Sequence, residues 1–378
     1  MKLNSERVFI TGGSGFIGGR LVELLARQQG LKVRAMVTRP SAGALRMARF
    51  PIEFSSASIT DVDAMAVAMD GCDTVFHLAY GKHGTSEERY EITVNGTRVA
   101  CEAAVRAGVK TLVNVSTAAV YPDWPDGLVT EESRRAKWGW SYADEKFQAE
   151  EIVLSQAREG HFSGSVVQVA GVYGPWGETF TIEPLRQLKA GLTVLPGEGK
   201  GYSHATYVDD VVGALIAVAN SPEAANEIFL VKGNEDVERL ALFRKYEEML
   251  GVSNLVPLHN SEIDAYLKDR KSRVGLIQLA RQALGVLAAD DGFKDCVRNS
   301  SLAPVARQLN SRVSLPAVTN SRSDVPVFDA LGEVQVPPRF MWDRLASRAV
   351  FSTEKLKALT GFEPRISFDR GMELTAQW

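Results

Sequence analysis

A glycine-rich turn near the N-terminus constrains the fold more than any other segment. The run Thr11-Gly-Gly-Ser-Gly-Phe-Ile-Gly18 follows an apolar strand pattern at Val8–Ile10 and opens a helical pattern at Phe16–Gln29. Glycine lets the backbone turn sharply and approach a pyrophosphate, whose charge then faces the N–H groups that begin the helix. Because a strand precedes these glycines and a helix follows them, the segment predicts a dinucleotide-binding α/β fold.

The first half of the chain continues as alternating strand and helix patterns. Strands joined through helices of this length form right-handed βαβ units, so we expect an α/β protein with a Rossmann-like, doubly wound parallel sheet. The further strands are expected at 32–37, 52–54, 74–78, 110–115, 165–169 and 227–231, and the helices at 87–107, 141–159, 180–189, 209–220 and 238–250.

The regular alternation ends near residue 175, which predicts a smaller C-terminal α+β part that binds the substrate. We expect the dinucleotide-binding domain at 1–165 with 205–235, and the substrate-binding part at 166–204 with 236–378. The latter includes a long insertion at about 252–348. Within it, apolar residues between Val274 and Ala288 share one helical face, with basic residues on or beside the opposite one. This pattern is typical of a packed surface helix, or of one that meets a membrane surface, a partner or a substrate.

Composition excludes several classes of protein. Apolar residues make up 45% and charged residues 24%, so we do not expect a disordered chain. With a net charge of −3, we do not expect a positive electrostatic field that would attract nucleic acid. No apolar run approaches the ~20 residues that span a bilayer. Three cysteines with no Cys-x-x-Cys pair argue against disulfides and zinc, so we expect no metal and a reducing, cytoplasmic location. The expected partner is a small-molecule substrate, and homodimer formation stays open.

The second strand bears on the choice of dinucleotide. A carboxylate at its end would bind the ribose 2′-hydroxyl of NAD, but no Asp or Glu lies between Glu23 and Glu53. Arg39 instead stands where the 2′-phosphate of NADP would lie, and Thr38 can donate to it. The pattern favours NADP, with NAD as the alternative.

A phenol and an ammonium lie four residues apart in Tyr142-Ala-Asp-Glu-Lys146, which places them on one face of a helix. A fixed ammonium is expected to lower the pKa of Tyr142, so that the phenol can exchange a proton with a substrate alcohol or ketone. At the end of the fifth strand, Ser116 or Thr117 can donate to a developing alkoxide.

These motifs together resemble the extended short-chain dehydrogenase/reductase family, in its epimerase/dehydratase branch. The resemblance implies the catalytic set Thr117, Tyr142 and Lys146, since the family's Ser/Thr stands four residues before the tyrosine at 121. It also implies that the matching lysine holds the nicotinamide ribose, and that His77 is a core residue. The segments that carry the resemblance are Thr11–Gly18, His77–Ala79, Val94–Thr97, Ser116–Tyr121, Tyr142–Lys146, Val172–Pro175, Tyr207–Val211 and Phe351–Pro364.

The turn, the strand ends and the resemblance together define an expected cofactor site. Its residues are Gly12, Ser14, Gly15, Phe16, Ile17, Gly18, Thr38, Arg39, Ser58, Ile59, Leu78, Ala79, Tyr80, Val115, Tyr142, Lys146 and Val172.

Several positions depart from the family's pattern. Ser58 stands where an Asp commonly meets the adenine, and Gln168 replaces a frequent Arg. Ser203 stands where sugar-nucleotide enzymes carry an Arg for the diphosphate, with Lys200 or His204 as candidate substitutes. The resemblance implies hydride transfer at a secondary alcohol or ketone carbon of a sugar or nucleotide-sugar-like substrate. The alternatives are NADPH-dependent reduction of a small non-nucleotide ketone or aldehyde, and a non-catalytic cofactor-sensing protein.

Overall fold

The computed structural model describes residues 1–38, 41–268, 329–331 and 334–378. The chain divides into two compact units, Met1–Pro257 with Ser323–Trp378, and Leu258–Arg322. In the second unit, a helix spans the described residues 260–268. Arg39 and the amphipathic pattern at 274–288 lie outside the described residues. The division into a cofactor part and a substrate part falls largely within the first unit and stays a prediction.

Fifteen strands are present in the part of the chain that the structure describes. They are β1 (Arg7–Thr11), β2 (Lys32–Met36), β3 (Glu53–Ser55), β4 (Thr74–His77), β5 (Thr111–Thr117), β6 (Gly127–Val129), β7 (Ser163–Val169), β8 (Val172–Tyr173), β9 (Leu192–Pro196), β10 (Thr206–Tyr207), β11 (Ile228–Val231), β12 (Leu255–Leu258), β13 (Asp329–Leu331), β14 (Val334–Val336) and β15 (Ala349–Phe351).

Seven of these strands form the main sheet, in the order β3-β2-β1-β4-β5-β7-β11, with every neighbouring pair parallel. The strand order reverses between β1 and β4, where Thr11 is in register with His77. A crevice for ligands opens at such a switch point, beyond the strand carboxyl ends. The expected doubly wound parallel sheet is confirmed.

The helices of the first unit lie close to the expected ranges. The helix expected at 87–107 is one helical run, in which a π-helical turn (Glu91–Asn95) joins two α-helical parts. The helices are α1 (Phe16–Ala26), α2 (Ala42–Met47), α3 (Val62–Met69), α4 (Ser86–Tyr90), α5 (Gly96–Arg106), α6 (Ser141–Arg158), α7 (Glu183–Ala190), α8 (Val208–Asn220), α9 (Arg239–Leu250), α10 (Trp342–Ala346), α11 (Glu354–Thr360) and α12 (Phe368–Ala376).

Apolar side chains fill both faces of the main sheet. Because successive residues of a strand point to opposite faces, Phe9 and Ile10 of β1 lie in different core clusters. Ile10 belongs to the cluster with Leu21 of α1 and Leu215 of α8. Phe9 belongs to the cluster with Met65 of α3 and Cys101 of α5. Helices therefore cover both faces, as a buried parallel sheet requires.

The end of the long insertion returns to the first unit. β14 pairs parallel to β9 and antiparallel to β13, and β15 pairs parallel to β6. α10 follows β14 and leads directly into β15. This return brings residues 334–351 beside the loops that follow β5. Within the described residues, no helix combines the length and the apolar content needed to cross a bilayer.

Candidate active site

The glycine-rich turn packs backbone against backbone at the carboxyl end of β1. A Cβ atom on Gly12 would lie 2.8 Å from the Leu78 carbonyl carbon, and one on Gly18 would lie 2.3 Å from the Gly12 oxygen. Gly12 also has a φ of +66°, which disfavours other residues. Gly15 caps the N-terminus of α1 without a side-chain bond. The turn thus fits a pyrophosphate, because no side chain intervenes and the helix N–H groups face outward.

Replacing Gly18 with alanine is expected to weaken binding of the reduced cofactor by at least about tenfold. The new methyl group would meet backbone atoms of Gly12 and Gly13, which cannot rotate away, so the turn must shift. Fluorescence titration of NADH and NADPH measures the effect. Gly30→Asn is the matched control, because Gly30 has open space around it and a φ of +82° that asparagine tolerates. Unchanged affinity in Gly18→Ala would contradict the assigned turn.

A chain of hydrogen bonds joins the ends of β1 and β4. The Thr11 hydroxyl accepts from the backbone N–H groups of Leu78 and Ala79, so its proton is directed to Nδ1 of His77, 2.9 Å away. The Thr97 hydroxyl donates to the Thr93 carbonyl and lies 3.0 Å from Nε2 of His77. Nδ1 therefore accepts from Thr11, and Nε2 carries the proton and donates to Thr97. Burial lowers the pKa of His77 to about 3. His77 is therefore a neutral structural residue, as the resemblance implied.

The other expected cofactor residues lie along the same edge of the sheet, where parallel strands end. Thr38 is exposed after β2, Ser58 is exposed after β3, and Ile59 is buried against Gly96. Leu78, Ala79 and Tyr80 follow β4 directly. Their role in binding a cofactor stays a prediction. The remaining members are Ser14 in the glycine-rich turn, Phe16 and Ile17 at the start of α1, Val115 in β5, and Val172 in β8, which pairs with β10 outside the main sheet.

The Tyr142 phenol lies at the start of α6, beside the end of β5 and close to the Thr117 hydroxyl. The Thr117 oxygen also accepts from the Ala119 N–H at 3.2 Å. Burial raises the pKa of Tyr142, and the nearby Thr117 hydroxyl lowers it in part. The expected lowering of the Tyr142 pKa is therefore wrong for this structure, because burial determines the net shift. The phenol is held in its proton-carrying form, ready to donate.

Lys146 lies one helical turn after Tyr142 and is buried. Its ammonium donates to the Val115 carbonyl at 2.6 Å and stands 5.7 Å from the centre of the Tyr80 ring. Burial lowers the pKa of Lys146 to about 8, against the opposing effects of Glu150 and Glu145. One of the three N–H donors of the ammonium thus bonds to the Val115 carbonyl of β5, which restrains the ammonium on the same helix face as the phenol.

Behind Lys146, a buried carboxylate ties α6 to the main sheet. Glu150 accepts from Nε2 of Gln168 at 3.0 Å on both oxygens and from Arg135 at 2.7 Å. The Ser116 hydroxyl is buried near Glu150 but has no hydrogen-bond partner within the described residues. Of the two hydroxyls at the end of β5, Thr117 is therefore the one that lies beside the phenol. Arg135 thus places a positive charge against Glu150, and the neutral Gln168 amide adds a second donor.

The residues expected to bind a diphosphate form hydrogen bonds or ion pairs with other parts of the chain. The Ser203 hydroxyl donates to the Val237 carbonyl, and His204 hydrogen bonds through Nε2 to the Ala349 carbonyl. His204 is buried against Phe351, and burial lowers its pKa to about 4. Lys200 lies on an exposed turn and pairs with Glu198. His204 is therefore not available as a substitute for the missing arginine.

Two acidic residues that follow Tyr207 have structural roles. Asp209 forms a two-pronged ion pair with Arg20 of α1, at 2.6 and 2.8 Å. Asp210 accepts from the backbone N–H groups of Arg365 and Ile366. The first pair holds the helix that follows the glycine turn, and the second clamps the C-terminal segment.

Sequence reasoning missed a cation beside the glycine turn. Arg46 of α2 lies 3.4 Å from the Gly15 carbonyl oxygen and 5.2 Å from the centre of the Trp176 ring. Partial burial lowers the pKa of its guanidinium. The signal that could have revealed α2 is Ser41, whose side chain caps the helix by accepting from Ala44.

Sequence reasoning also missed the aromatic residues that precede Tyr142. The Trp140 ring centre lies 5.3 Å from that of Tyr142, and Trp138 lies 5.6 Å from Trp140. The motif Trp138-Gly-Trp140 directly before Tyr142 was the available signal. Phe340, from the end of the insertion, contacts both indoles.

The fold and the Tyr142–Lys146 pair define an enzyme of the extended short-chain dehydrogenase/reductase class. The chain belongs to the NAD dependent epimerase/dehydratase family, whose model matches residues 8–231.

Individual relatives support this placement. The chain is 28% identical over 261 residues to 3 beta-hydroxysteroid dehydrogenase/Delta 5→4-isomerase of Mycobacterium tuberculosis, covering 65% of this chain and 70% of that protein. It is 26% identical over 255 residues to 3beta-hydroxysteroid-dehydrogenase/decarboxylase isoform 2 of Arabidopsis thaliana, covering 61% of this chain but 45% of that relative. The chain thus matches under half of the plant enzyme's length.

A solved structure shows the same fold. The dTDP-glucose 4,6-dehydratase from Streptomyces venezuelae, crystallised with NAD and TYD, superposes with a TM-score of 0.69 at 19% identity. The superposition covers 98% of this chain and 96% of that one.

Proposed function

We propose that this enzyme transfers a hydride between a nicotinamide dinucleotide and a secondary alcohol or ketone carbon. The observation that carries the proposal is the Thr117–Tyr142–Lys146 cluster at the carboxyl edge of the sheet, beside the glycine turn. A secondary alcohol or ketone on a ring, in a sugar or in another cyclic compound, would be a suitable substrate for this cluster.

The residues that would hold the cofactor fall into three groups. The turn from Gly12 to Gly18 would take the pyrophosphate, Ser58 and Ile59 would flank the adenine, and Lys146 would hold the nicotinamide ribose. When bound, the cofactor supplies or accepts the hydride at the substrate carbon.

The chain's own residues handle the proton. In the reducing direction, Tyr142 donates its phenolic proton to the carbonyl oxygen, which becomes the hydroxyl as the carbon gains the hydride. Thr117 donates a hydrogen bond to the same oxygen as negative charge develops. The Lys146 ammonium, fixed by Val115, stabilises the phenolate that remains. In the oxidising direction each transfer runs in reverse.

This cluster argues against a non-catalytic sensor. Burying Lys146 beside Tyr142 costs free energy, as the lowered pKa of the ammonium shows. Binding a dinucleotide does not require the phenol and the Thr117 hydroxyl to face each other. Such costs are typical of catalytic sites.

We infer a preference for NADP over NAD. No carboxylate follows β2, whereas Thr38, Arg39 and Arg46 supply hydrogen-bond donors near its end. A guanidinium binds a phosphate through two parallel hydrogen bonds, so the extra 2′-phosphate favours NADP.

Replacing Arg39 with alanine is expected to weaken NADP binding by about 1.5–3 kcal/mol, the range for hydrogen bonds to charged groups. NAD binding should change little, because NAD lacks the 2′-phosphate. Calorimetry with both cofactors measures the difference, with Arg49→Ala as a control at an exposed arginine of the same segment. Equal losses for NAD and NADP would contradict the inferred preference.

A further inference from the structure

Five aromatic rings form a continuous surface that starts at the catalytic phenol. We call Tyr80, Trp138, Trp140, Tyr142 and Phe340 the aromatic wall. Tyr142 has Tyr80 on one side, at 5.9 Å between ring centres, and Trp140 on the other, at 5.3 Å. Beyond Trp140, the rings of Trp138 and Phe340 follow at 5.6 and 6.2 Å.

Arg344 holds one indole of the aromatic wall, that of Trp138, in place. The Arg344 guanidinium lies 4.2 Å from the Trp124 ring centre and 4.6 Å from that of Trp138. It also donates to the carbonyls of Tyr121 and Pro122 at 2.9 Å. A cation held between two rings and two carbonyls has little freedom, so Trp138 is rigidly supported.

The loop that carries the two indoles is also anchored to α6. The Asp144 carboxylate accepts from the backbone N–H groups of Trp138 and Gly139, at 2.8 and 3.1 Å. The Trp138 indole N–H donates to the Ala119 carbonyl at 3.0 Å. Because this donor is satisfied by the protein, the ring of Trp138 presents an apolar face to a ligand. A preformed surface loses little conformational entropy when it binds.

Other parts of the wall remain accessible. Phe340 is 53% exposed and Tyr80 is 40% exposed, although each touches other aromatic rings. Exposed apolar rings next to the half-buried Tyr142 phenol form a surface that a ligand would cover. Stacking against rings selects for shape and apolar area rather than for charge.

The same site offers weak anchoring for a diphosphate. Ser203 and His204 hydrogen bond to backbone carbonyls, and Lys200 is paired on the surface. Arg344 is buried within its stack and already bonded. The recognition chemistry near Tyr142 is therefore aromatic rather than ionic.

The structure assigns the aromatic wall as the substrate-binding surface, for a flat, apolar ring system that bears the ketone or secondary alcohol and carries no nucleoside diphosphate. This inference rests on the proposed function, because it places the reacting carbon beside Tyr142. It also gives a role to the returning end of the insertion, which supplies Phe340 and Arg344.

The test uses three flat cyclic ketones, 2-tetralone, a flavanone and a 3-keto steroid, against UDP-glucose. Binding is followed by quenching of tryptophan fluorescence, and reduction by NADPH consumption with the full-length enzyme. At least one ketone should bind and be reduced. Phe340→Ala and Trp140→Ala should each raise its KM about tenfold or more, with a smaller change in kcat. Trp140→Phe keeps a ring and should restore most of the affinity, which separates stacking from misfolding.

Leu128→Ala is the matched control, because Leu128 is an apolar side chain on β6 that is 65% exposed. It should leave KM unchanged. Binding of UDP-glucose with no binding of any ketone would overturn the inference, as would equal effects in the wall and control variants. If the enzyme then turned over UDP-glucose and this activity required Tyr142, the proposed function would still be supported although the inference about the aromatic wall had failed. Ketone binding that depends on Trp140 but gives no turnover would support the wall and contradict the proposed function.

Discussion

Turnover by the Tyr142→Phe variant is expected to fall about 10²–10⁴-fold, the usual contribution of a positioned proton donor. The substitution removes the phenolic oxygen, which lies close to the Thr117 hydroxyl. Ring contacts with Tyr80 and Trp140 should survive, so the fold and cofactor affinity should be retained. Single-turnover kinetics gives the rate, and fluorescence titration gives the affinity.

Tyr90→Phe is the control for this experiment. Tyr90 ends α4, is exposed, and makes a long hydrogen bond of 3.5 Å to Gln148. Removing its hydroxyl should leave the rate near that of the wild type. If Tyr142→Phe turned over as fast as Tyr90→Phe, the proton donor would have to be another group.

The Lys146→Met variant is expected to lose turnover to a similar extent and also to bind the cofactor about tenfold more weakly. Methionine keeps the length of the stem but removes both the charge and the donor that reaches Val115. The phenolate formed in the reaction then lacks a stabilising charge, and the nicotinamide ribose lacks its proposed partner.

The same variant should change the dependence of the rate on pH. A lysine is charged below its pKa, so the wild-type rate should fall as the pH rises through about 8. Without Lys146 that decline should disappear. Lys110→Met is the control, because Lys110 is exposed just before β5, at the opposite end from Thr117, and pairs with Asp73. If the rate of Lys146→Met still fell near pH 8, the titrating group would have to be one other than Lys146.

Local patterns were sufficient to predict most of the main sheet and to select the candidate site residues that lie in contiguous motifs. The turn at Gly12–Gly18 is recognisable because its glycines, strand and helix are contiguous in the chain. Likewise, the spacing of Tyr142 and Lys146 places both on one face of α6. That spacing could not show that the ammonium turns to Val115, or that burial dominates the pKa of Tyr142.

Contacts between distant segments explain what sequence reasoning missed. Phe340 and Arg344 reach the site from about 200 residues after Trp138, so no local periodicity connects them. The ion pair of Arg135 with Glu150 likewise depends on a loop meeting α6 in space. The short helix α3 had a readable signal, since Asp61 caps it by accepting from Ala64.

Transfer of deuterium from reduced cofactor labelled at C4 to a cyclic ketone tests the central claim most directly. In a single turnover, mass spectrometry of the product should find deuterium on the former carbonyl carbon. Tyr142→Phe should form the same labelled product about 10²–10⁴-fold more slowly, and Tyr90→Phe should match the wild type. Product without deuterium at that carbon, or labelling by Tyr142→Phe at the wild-type rate, would contradict hydride transfer assisted by Tyr142.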